Sequence, residues 1–551
     1  MPKLFRYTQD KIAEFEKKGY WQDLYWPDIW EENARKYPDK EGIVDDYRRV
    51  TWSEANRLVN RVALGLVELG IEKGQPIAIQ LPDRLEWFLL RVGTEKAGIP
   101  CITMMRTLRH AELEHLLGRM KAVGIVIPWV FRDFDYFQMI QDIRPKLPEL
   151  KHVFVVGDKV PEGAISVEEM LQRPIEEEYP NAADIFRQRR FEMNDVSQFI
   201  ATTGTTGLPK LLVTNTANIA GSTREHCERW QITSEDVCCA LAPLPGAPGG
   251  TIAVRCGPTA GAKVVVMEHY TPEKALSIIE KEKVTMLGVV PSQVIDIINH
   301  PDLAKYDLSS LRGIRSSGGP MPVKVAMEAE EKLKCQMLIS YGGSEFGSLS
   351  SVPLGSLSEI RHATVGKPLT GVTVRLLDEE GKEVPPGEAG DITVNTPYAQ
   401  DSYYEYPDAT WQVWDKEGWV RTGDLGIFDE QGYVRVVGRR KDVIIRGGQN
   451  IFPTEIENML LLHPKVTDVA VVAMPDPKMG EKACTFVVTK PGEQFTFEEM
   501  TSFLKEKKIA PYKLPERLEV VEQIPLVAGS KVDKKALRAQ ITEKLKAEGK
   551  I

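Results

Sequence analysis

Two kinds of apolar segment alternate along the first half of the chain, and this alternation limits the fold more than any other feature. Within residues 54–69 apolar side chains recur at helical spacing, and Gly70 follows as a stop. Residues 76–81 then form a short apolar run typical of a buried strand, followed by a helical pattern over 84–96. The alternation continues with predicted strands at 123–128, 153–156, 263–267 and 286–290 and a predicted helix at 272–282. Strands that alternate with helices predict an α/β protein with parallel sheets.

The length of 551 residues is too great for a single hydrophobic core, so at least two domains are expected. Between about 365 and 440 the pattern changes to short strands with Gly and Pro turns, which predicts a small β subdomain at 372–377, 391–394 and 432–437. A second α/β unit follows, with predicted helices at 454–462 and 497–507 and strands at 466–473, 483–489 and 518–521. We place the boundary at Lys441, which divides the chain into domains 1–440 and 441–551.

Charge and composition argue against several classes of function. The net charge of −9 disfavours nucleic acid or an anionic membrane as the main partner. No stretch of 18 apolar residues occurs and the first residues lack the apolar run of a signal peptide, so a cytoplasmic location is predicted. The seven cysteines include no C-x-x-C pair, which disfavours structural zinc and favours reduced, buried thiols.

A nonapeptide at 202–210, Thr-Thr-Gly-Thr-Thr-Gly-Leu-Pro-Lys, has the composition of a phosphate-binding loop. It lies between two strand-like runs at 196–201 and 211–213 and contains two glycines, four threonines and a terminal lysine. Glycine lets backbone N–H groups converge on an anion, hydroxyls add donors, and the ammonium supplies positive charge. Because Lys210 lies three residues after the second glycine, the spacing differs from that of an ordinary P-loop NTPase.

The nonapeptide resembles the [ST]-[ST]-G-T-T-G-x-P-K signature of the adenylate-forming superfamily, which includes acyl-CoA synthetases, aryl-acid AMP ligases and luciferases. Further motifs in the family's order extend the resemblance over nearly the whole chain. The resemblance implies a large N-terminal domain of two α/β sheet subdomains plus a small β subdomain, followed by a small mobile α/β C-terminal domain. It also implies that the loop holds ATP, with catalytic roles for Thr206 and Lys210. The other loop residues implied in binding are Thr202, Thr203, Gly204, Thr205 and Gly207.

Three further motifs would complete a nucleotide site. Residues 317–320 resemble the segment that packs against adenine, and residues 341–345 resemble Y-G-x-[ST]-E, whose glutamate, here Glu345, binds Mg²⁺ and acts in catalysis. A hard cation on ATP requires an oxygen ligand of this kind. Residues 421–424 resemble a motif whose aspartate accepts hydrogen bonds from the ribose hydroxyls. The binding residues implied by these motifs are Gly318, Gly319, Pro320, Tyr341, Gly342, Ser344 and Asp424.

Two motifs lie at the predicted boundary and just beyond it. Residues 438–442 resemble the family's G-R-x-[KD]-D hinge, in which Arg439 is directed at the nucleotide and Lys441 is the pivot. Residues 447–457 resemble G-x-x-I-x-P-x-E-I-E, whose glycines, here Gly447 and Gly448, permit close approach of the pantetheine arm of coenzyme A.

Near the end of the chain, residues 525–531 resemble P-x-T-x-x-G-K. The resemblance makes Lys531 the catalytic lysine that stabilises charge between the substrate carboxylate and the α-phosphate. The segment departs from the pattern in two places, because Val527 replaces threonine and Ser530 stands where glycine is usual.

The implied chemistry has two half-reactions, with ATP, Mg²⁺ and coenzyme A taking part. A carboxylate attacks the ATP α-phosphate, pyrophosphate leaves, and the acyl-adenylate then transfers its acyl group to a second nucleophile. Such chemistry needs positioning and charge stabilisation rather than a nucleophilic triad. Rotation of the C-terminal domain about Lys441 would exchange Lys531 for the Gly447-Gly448 loop between the two steps.

The acyl pocket is expected at 242–250, where many relatives carry P-L-F-H-x-x-G and this chain carries Pro245 and Gly246, followed by Gly250. The loss of an aromatic ring and a histidine predicts a larger apolar pocket. The sequence as a whole most resembles the dihydroxybenzoate-AMP ligase branch of the superfamily, but it lacks the asparagine that would bind the 2-hydroxyl group of that substrate. The prediction is a CoA ligase for an aromatic, polycyclic aromatic or alicyclic carboxylate.

Three alternatives stay open from the sequence. The acceptor is a carrier protein rather than free coenzyme A, or the acid is a medium-chain fatty acid. The third alternative is a non-catalytic nucleotide-binding regulator, which could dispense with the metal and lysine positions that this chain retains at Lys210, Glu345 and Lys531.

Overall fold

The computed structural model describes residues 2–202, 208–527 and 531–551, with the backbone alone described at Val527 and Lys531. Its architecture is α/β, as predicted, with four main sheets and helices distributed among them. The α-helices are Gln9–Lys17, Trp26–Lys36, Trp52–Glu68, Leu85–Lys96, His110–Met120, Tyr136–Ile143, Val167–Gln172, Ala182–Arg189, Thr216–Arg229, Ala247–Gly250, Gly257–Ala260, Pro272–Glu282, Pro291–Ile298, Val323–Leu333, Ser358–Ala363, Pro407–Val413, Pro453–Leu460, Phe497–Glu506 and Lys534–Ala547.

The first large sheet has nine strands. Six neighbouring strands are parallel, and antiparallel strands extend the sheet at both edges. In spatial order the strands are Lys367–Pro368, Gly347–Ser351, Gln336–Gly343, Gly313–Ser316, Met286–Val289, Val237–Ala240, Lys263–Val266, Glu41–Val44 and Arg49–Thr51.

The second large sheet has eight strands, most of them parallel. In spatial order they are Ser402–Tyr403, Leu211–Thr214, Gln198–Ala201, Cys101–Thr103, Ile77–Ile79, Gly124–Pro128, His152–Val156 and Ile165–Ser166. The nonapeptide joins the antiparallel strands Gln198–Ala201 and Leu211–Thr214, which places it in a turn between strands as the sequence predicts.

One continuous apolar core joins the two large sheets. It contains side chains from both sheets together with the helices Trp52–Glu68 and Leu85–Lys96. Every residue of Leu85–Lys96 is buried, including charged ones, and Arg91 Nη1 lies 2.6 Å from Glu95 Oε2. A buried arginine with its own carboxylate is electrostatically satisfied. The Arg91–Glu95 pair in the core between the two large sheets therefore needs no ligand to balance its charge.

The β subdomain is a four-stranded antiparallel sheet of Thr373–Leu377, Gly390–Asn395, Trp419–Phe428 and Val434–Arg439. The sequence predicts three of these strands and misses Trp419–Phe428, whose charged and glycine residues interrupt the alternation of apolar and polar side chains. The strand Trp419–Phe428 carries Asp424, and its neighbour Val434–Arg439 carries Arg439.

The C-terminal unit is built on the strands Gln449–Ile451, Ile444–Arg446, Gly480–Thr489, Val466–Asp476 and Arg517–Val520, with two apolar clusters on its faces. Two short hairpins complete the strand inventory, Leu526–Val527 with Lys531–Val532 and Val130–Phe131 with Phe134–Asp135. The predicted boundary at Lys441 falls in a 3₁₀ turn, Arg440–Asp442, between the β subdomain and this unit. The boundary itself stays a prediction.

Two expectations from composition can be compared with the structure. Six of the seven cysteines are buried, as predicted. Among the described residues, no helix is both long and apolar enough to cross a bilayer.

Candidate functional site

The base of the nonapeptide loop is closed by Thr202 and Lys210. The Thr202 amide donates to the Lys210 carbonyl at 2.9 Å, and the Lys210 amide donates to Thr202 Oγ1 at 3.0 Å. Two paired strands therefore fix both ends of the loop. Five residues predicted to bind ATP phosphates lie outside the described residues: Thr203, Gly204, Thr205, Thr206 and Gly207.

The ammonium of Lys210 lies over the ring of Tyr403, 4.8 Å from its centroid. The Tyr403 hydroxyl donates to Glu345 Oε1 at 2.9 Å, and burial together with the Glu345 carboxylate raises the pKa of this phenol. The Tyr403 ring also packs edge-to-face against Trp414, with 5.6 Å between the ring centroids. The structure thus brings together two predicted site residues, Lys210 and Glu345, through a tyrosine that sequence reasoning missed.

Tyr403 carried no short-range signal, because its contact with Glu345 spans 58 residues. Its position follows from sheet topology: the strand Ser402–Tyr403 pairs with Leu211–Thr214, the strand that directly follows Lys210. Only the pairing of these strands places the ring under the lysine.

A second cluster joins Tyr341, Asp424 and Arg439. The Tyr341 hydroxyl donates to Asp424 Oδ2 at 2.5 Å, and Arg439 Nε lies 3.2 Å from Asp424 Oδ1. Burial and the Asp424 carboxylate raise the pKa of Tyr341 well above its ordinary value. Asp424 and Arg439 are register partners on adjacent strands, so the sheet itself sets their distance. Three motifs that are far apart in sequence therefore meet in one place.

The two clusters lie on the same segment. Tyr341 is in the strand Gln336–Gly343, and Glu345 follows in the turn to Gly347–Ser351. A Cβ on Gly342 would lie 2.4 Å from the Gly347 carbonyl oxygen, so this turn requires glycine. Ser344 is partly buried in the same turn.

The segment 317–320 follows the parallel strand Gly313–Ser316 at its carboxyl end. Gly318 has φ +85°, and a Cβ there would come within 3.0 Å of Pro248 Cγ. At Gly319 an added Cβ would make only ordinary contact, 3.7 Å from Pro291 Cγ, and Pro320 is exposed. The carboxyl ends of strands in an open parallel sheet are the usual place for a nucleotide.

The predicted acyl-pocket residues lie where a helix begins. Gly246 is the N-cap residue of Ala247–Gly250, and the Gly250 amide donates to the Gly246 carbonyl at 2.8 Å. A Cβ on Gly246 would lie 3.3 Å from Met105 Cε, whereas one on Gly250 would lie 2.6 Å from the Leu244 carbonyl oxygen. Pro245 is partly buried beside them. Part of the space next to Gly246 is therefore bounded by the flexible Met105 side chain.

The predicted pivot Lys441 and the predicted pantetheine-access residues Gly447 and Gly448 follow the β subdomain in the chain. Lys441 is exposed, and Arg538 Nη2 donates to its carbonyl at 3.1 Å. Gly447 and Gly448 form the two-residue turn between Ile444–Arg446 and Gln449–Ile451, with φ +56° and +84°. Two positive φ values in a two-residue hairpin turn are typical of type I′.

Lys531 begins the second strand of the hairpin Leu526–Val527 with Lys531–Val532, in register with Val527. Its side chain and residues 528–530 lie outside the described residues, so its catalytic role stays a prediction.

Glu345 is the carboxylate that sequence reasoning assigns to Mg²⁺. Among the described residues no group of three or more His, Cys, Asp or Glu side chains could hold a metal ion. A magnesium ion that travels with ATP needs only one or two carboxylates besides phosphate and water oxygens, and Glu345 makes no ion pair with a Lys or Arg in the described part of the chain. The donor set therefore fits Mg²⁺ bound to a nucleotide.

Comparison with known proteins supports the resemblance seen in the motifs. The model of the AMP-binding enzyme family matches residues 30–404, and that of the AMP-binding enzyme C-terminal domain matches residues 455–531. The chain is 33% identical to a medium-chain fatty-acid–CoA ligase of Escherichia coli (strain K12), over 98% of this chain and 94% of the relative. It is 30% identical to the 2,3-dihydroxybenzoate-AMP ligase of Bacillus subtilis (strain 168), over 99% of each.

A solved structure agrees with this grouping. The anthranilate CoA ligase in complex with anthranoyl-AMP superposes with a TM-score of 0.84 at 26% identity, over 95% of this chain and 98% of that protein. The fold class implied by the resemblance is thereby confirmed. This chain belongs to the AMP-binding enzyme family of adenylate-forming acyl-CoA and aryl-CoA ligases.

Proposed function

We propose that this protein is an ATP-dependent, AMP-forming carboxylic acid–CoA ligase that acts on an aromatic, polycyclic aromatic or alicyclic acid. The observation that carries the proposal is Gly246, a position predicted to line the acyl site: it has no side chain, and the Cβ of a larger residue would lie 3.3 Å from Met105 Cε and press on that side chain. The conjunction of Lys210 with Glu345, and of Tyr341 with Asp424 and Arg439, supports the nucleotide chemistry.

In the first half-reaction a carboxylate oxygen of the acid attacks the α-phosphorus of ATP and the bond to pyrophosphate breaks. Lys210 supplies positive charge at the phosphates, and Asp424, with two acceptor oxygens, suits the ribose diol. Tyr403 orients the Glu345 carboxylate, which would hold Mg²⁺ on the nucleotide. Mg²⁺ would neutralise part of the phosphate charge.

In the second half-reaction the thiol sulfur of coenzyme A attacks the acyl carbonyl carbon, the thiol proton is lost and AMP leaves. The proposed roles are Lys531 for adenylation and the Gly447-Gly448 turn for access of the pantetheine arm. Lys441, exposed in its 3₁₀ turn, is the proposed pivot between them.

The test is acid-dependent ATP–pyrophosphate exchange across a panel of acids, followed by addition of coenzyme A. We expect exchange with cyclic acids and CoA-dependent release of AMP. The proposal fails if no acid supports exchange, or if the acyl-adenylate forms and coenzyme A does not accept the acyl group.

A medium-chain fatty acid is the second candidate, because a 33% identical relative carries that name. If this candidate is right, the rate of ATP–pyrophosphate exchange in the same panel should rise with the alkyl length of the acid. Replacing coenzyme A with a holo-carrier protein tests the other acceptor.

A further inference from the structure

The helix that begins at the acyl site continues inward as one helical segment. Ala247–Gly250 is α-helical, Thr251–Cys256 is a π-helix and Gly257–Ala260 is α-helical again. We call residues 247–260 the pocket helix. π-helical turns are rare and occur often at functional sites. The unusual turn lies one step deeper than the predicted acyl-pocket residue Gly250.

Two faces of the pocket helix serve packing. Ile252 and Cys256 belong to the apolar cluster around Trp230, and Ala253 belongs to the core that joins the two sheets. A Cβ on Gly288 would lie 3.1 Å from Ile252 Cβ, so the helix lies directly on the first sheet. These contacts fix the direction of the remaining face.

The remaining face carries Thr251 and Arg255, and neither side chain has a hydrogen-bond or ion-pair partner in the part of the chain that the structure describes. Thr251 is 1% exposed, and its hydroxyl makes no hydrogen bond to any described residue. Within residues 2–202, 208–527 and 531–551, the Arg255 side chain makes no hydrogen bond or ion pair. A buried polar group without a partner costs free energy unless a ligand satisfies it.

Two further cationic or basic groups lie near Arg255. Arg315 is 4% exposed; its Nη1 donates to the carbonyls of Ala247 and Pro248, and its Nε has no partner in the described chain. His226 is stacked on Trp230 at 4.5 Å, and neither ring nitrogen has a described partner. Burial lowers the pKa of His226 well below its ordinary value, and the charges of Arg315, Arg229 and Arg255 lower it further. Burial also lowers the pKa of Arg315, and Arg255 adds to that effect, so these groups repel one another.

Among the described residues, no carboxylate forms an ion pair with Arg255 or Arg315. Desolvation lowers the pKa of Arg255 to about 10 and that of Arg315 to about 9. The neighbouring Cys256 thiol opposes this on both groups, whereas Arg91 lowers the pKa of Arg255 further and Arg255 lowers that of Arg315 further. Both guanidinium groups stay protonated at neutral pH. Arg91 differs, because Glu95 lies 2.6 Å away. The described part of the chain thus gives the buried Arg91 a carboxylate partner and gives none to the buried Arg315 or the partly buried Arg255, and an unpaired charge that is removed from water is costly.

Arg255 also retains accessible surface. Its depth is enough for desolvation to lower its pKa, yet the residue is only partly buried by surface area. The Arg255 side chain, although it has no partner in the described chain, is therefore not fully enclosed by protein atoms and stays open to contact by a bound molecule.

We propose that the acid activated by this enzyme is a dicarboxylate, and that Arg255 binds the second, non-reacting carboxylate with help from the Thr251 hydroxyl. Arg315 adds positive potential from its fixed position on the pocket helix. The proposal rests on the proposed function and narrows its substrate class. Whereas the sequence predicts an apolar acyl pocket, this proposal places a positively charged group at its inner end.

The geometry suits an acid of ring size. Arg255 lies five residues beyond Gly250, which corresponds to about 6–8 Å along a helix axis. A six-membered ring with carboxylates on opposite sides spans a similar distance. Guanidinium binds carboxylate through two parallel hydrogen bonds, so the second carboxylate would also fix the orientation of the ring.

The experiment compares acids of equal shape and different charge. The panel pairs benzene-1,4-dicarboxylate with its monomethyl ester and with benzoate, and cyclohexane-1,4-dicarboxylate with cyclohexanecarboxylate. Wild type, R255M, R255K and T251V are assayed by ATP–pyrophosphate exchange. R57M is the matched control, because Arg57 is an exposed arginine on Trp52–Glu68.

We expect wild type and R57M to prefer the diacid to its monoester. R255M should lower kcat/KM for the diacid by about 10- to 100-fold, through KM, and leave the monoester unchanged or improved. R255K should retain part of the preference and T251V should weaken it. A wild type that prefers monoacids, or an R255M effect that is equal for diacid and monoester, overturns the proposal.

A binding measurement separates this inference from the proposed function. In thermal unfolding without ATP, the diacid should raise Tm of wild type and not of R255M, while its monoester raises neither. Unliganded R255M should unfold at or above the wild-type temperature, since it loses an unpaired buried charge. If no acid supports exchange, the proposed function fails; diacid-specific stabilisation that disappears in R255M still supports the site, and its absence rejects it.

Discussion

Tyr403 contacts two charged groups of opposite sign at once. Its ring lies under the Lys210 ammonium and its hydroxyl holds Glu345 Oε1 at 2.9 Å. A single side chain therefore separates the lysine predicted to bind phosphate from the carboxylate predicted to bind Mg²⁺. Because Trp414 and the strand pairing fix the ring, the spacing is set before any nucleotide binds.

Tyr403→Phe should keep the ring under Lys210 and free the Glu345 carboxylate from its hydrogen bond. Hydrogen bonds to charged groups are worth about 1.5–3 kcal/mol, so we expect adenylation to fall by roughly 10-fold or more and to need more Mg²⁺. The measurement is the Mg²⁺ dependence of pyrophosphate exchange. Tyr404→Phe is the control, because that neighbouring ring packs on Phe199 instead. An unchanged Mg²⁺ dependence would remove Tyr403 from the site.

Gly246→His tests the size of the acyl site. The new side chain must displace Met105, whose Cε would lie 3.3 Å from the added Cβ. Overpacking typically costs about 1–3 kcal/mol, so kcat/KM for a two-ring acid should fall by roughly 5-fold to 150-fold relative to that for a single-ring acid. The two acids are compared in both proteins with ATP saturating. An unchanged preference would show that Gly246 does not line the acyl pocket.

At the scale of elements, the sequence predicts best where local signals agree. The helix Pro272–Glu282 has the predicted bounds, since Thr271 caps it and proline opens it. The pocket helix was missed, because Pro248, Gly249, Gly257 and Pro258 within or beside it read as turn signals. Here packing between two cores overrides helix propensity.

The same contrast between local sequence signals and tertiary packing explains which parts of the candidate site could be predicted. Motif resemblance names Tyr341, Asp424 and Arg439, but their contact depends on strand register between distant segments. Arg255 belongs to no motif, and the absence of a counter-ion for it among the described residues is visible only once the surrounding elements are packed. Charge balance in a core cannot be read from periodicity.

The hairpin turn at Gly447 and Gly448 offers a test at this scale. Gly447 has φ +56°, which asparagine tolerates and valine does not. Both side chains would meet the terminal carbon of Met479, 2.4 Å from an added Cβ, so that contact is matched. We expect Gly447→Val to slow thioester formation from supplied acyl-adenylate much more than Gly447→Asn, with adenylation nearly unchanged in both. Equal losses in the two variants would show that backbone conformation at this turn is not what the CoA step requires.

At the scale of the whole molecule, one active site is proposed to serve two reactions that need different groups. The family comparison covers both the N-terminal part and the C-terminal part, with matches at 30–404 and 455–531. The interval between the matches contains Asp424, Arg439 and the 3₁₀ turn Arg440–Asp442. A pivot in this interval can move the C-terminal unit without disturbing the Asp424–Arg439 pair.

Lys441→Pro should separate the two half-reactions. Proline fixes φ near −65°, which suits the 3₁₀ turn that Lys441 occupies, so the described conformation should be retained. Rotation at this residue would be obstructed. Lys531→Ala should have the complementary effect, slowing adenylation by roughly 10²–10³ as expected for one transition-state charge donor, with thioester formation from supplied acyl-adenylate preserved.

The measurement is therefore made on each half-reaction, by pyrophosphate exchange and by CoA-dependent consumption of supplied acyl-adenylate, in wild type, Lys441→Pro, Lys441→Ala and Lys531→Ala. Lys441→Ala removes the exposed side chain and leaves φ free, so its rates should stay near wild type if the backbone at 441 is the pivot. A proline variant that retains exchange and loses the CoA step identifies the turn as a hinge between two working conformations. If Lys441→Pro and Lys531→Ala each lowered both half-reactions equally, the two reactions would share one arrangement of the C-terminal unit, and rotation about Lys441 would have no part in the mechanism.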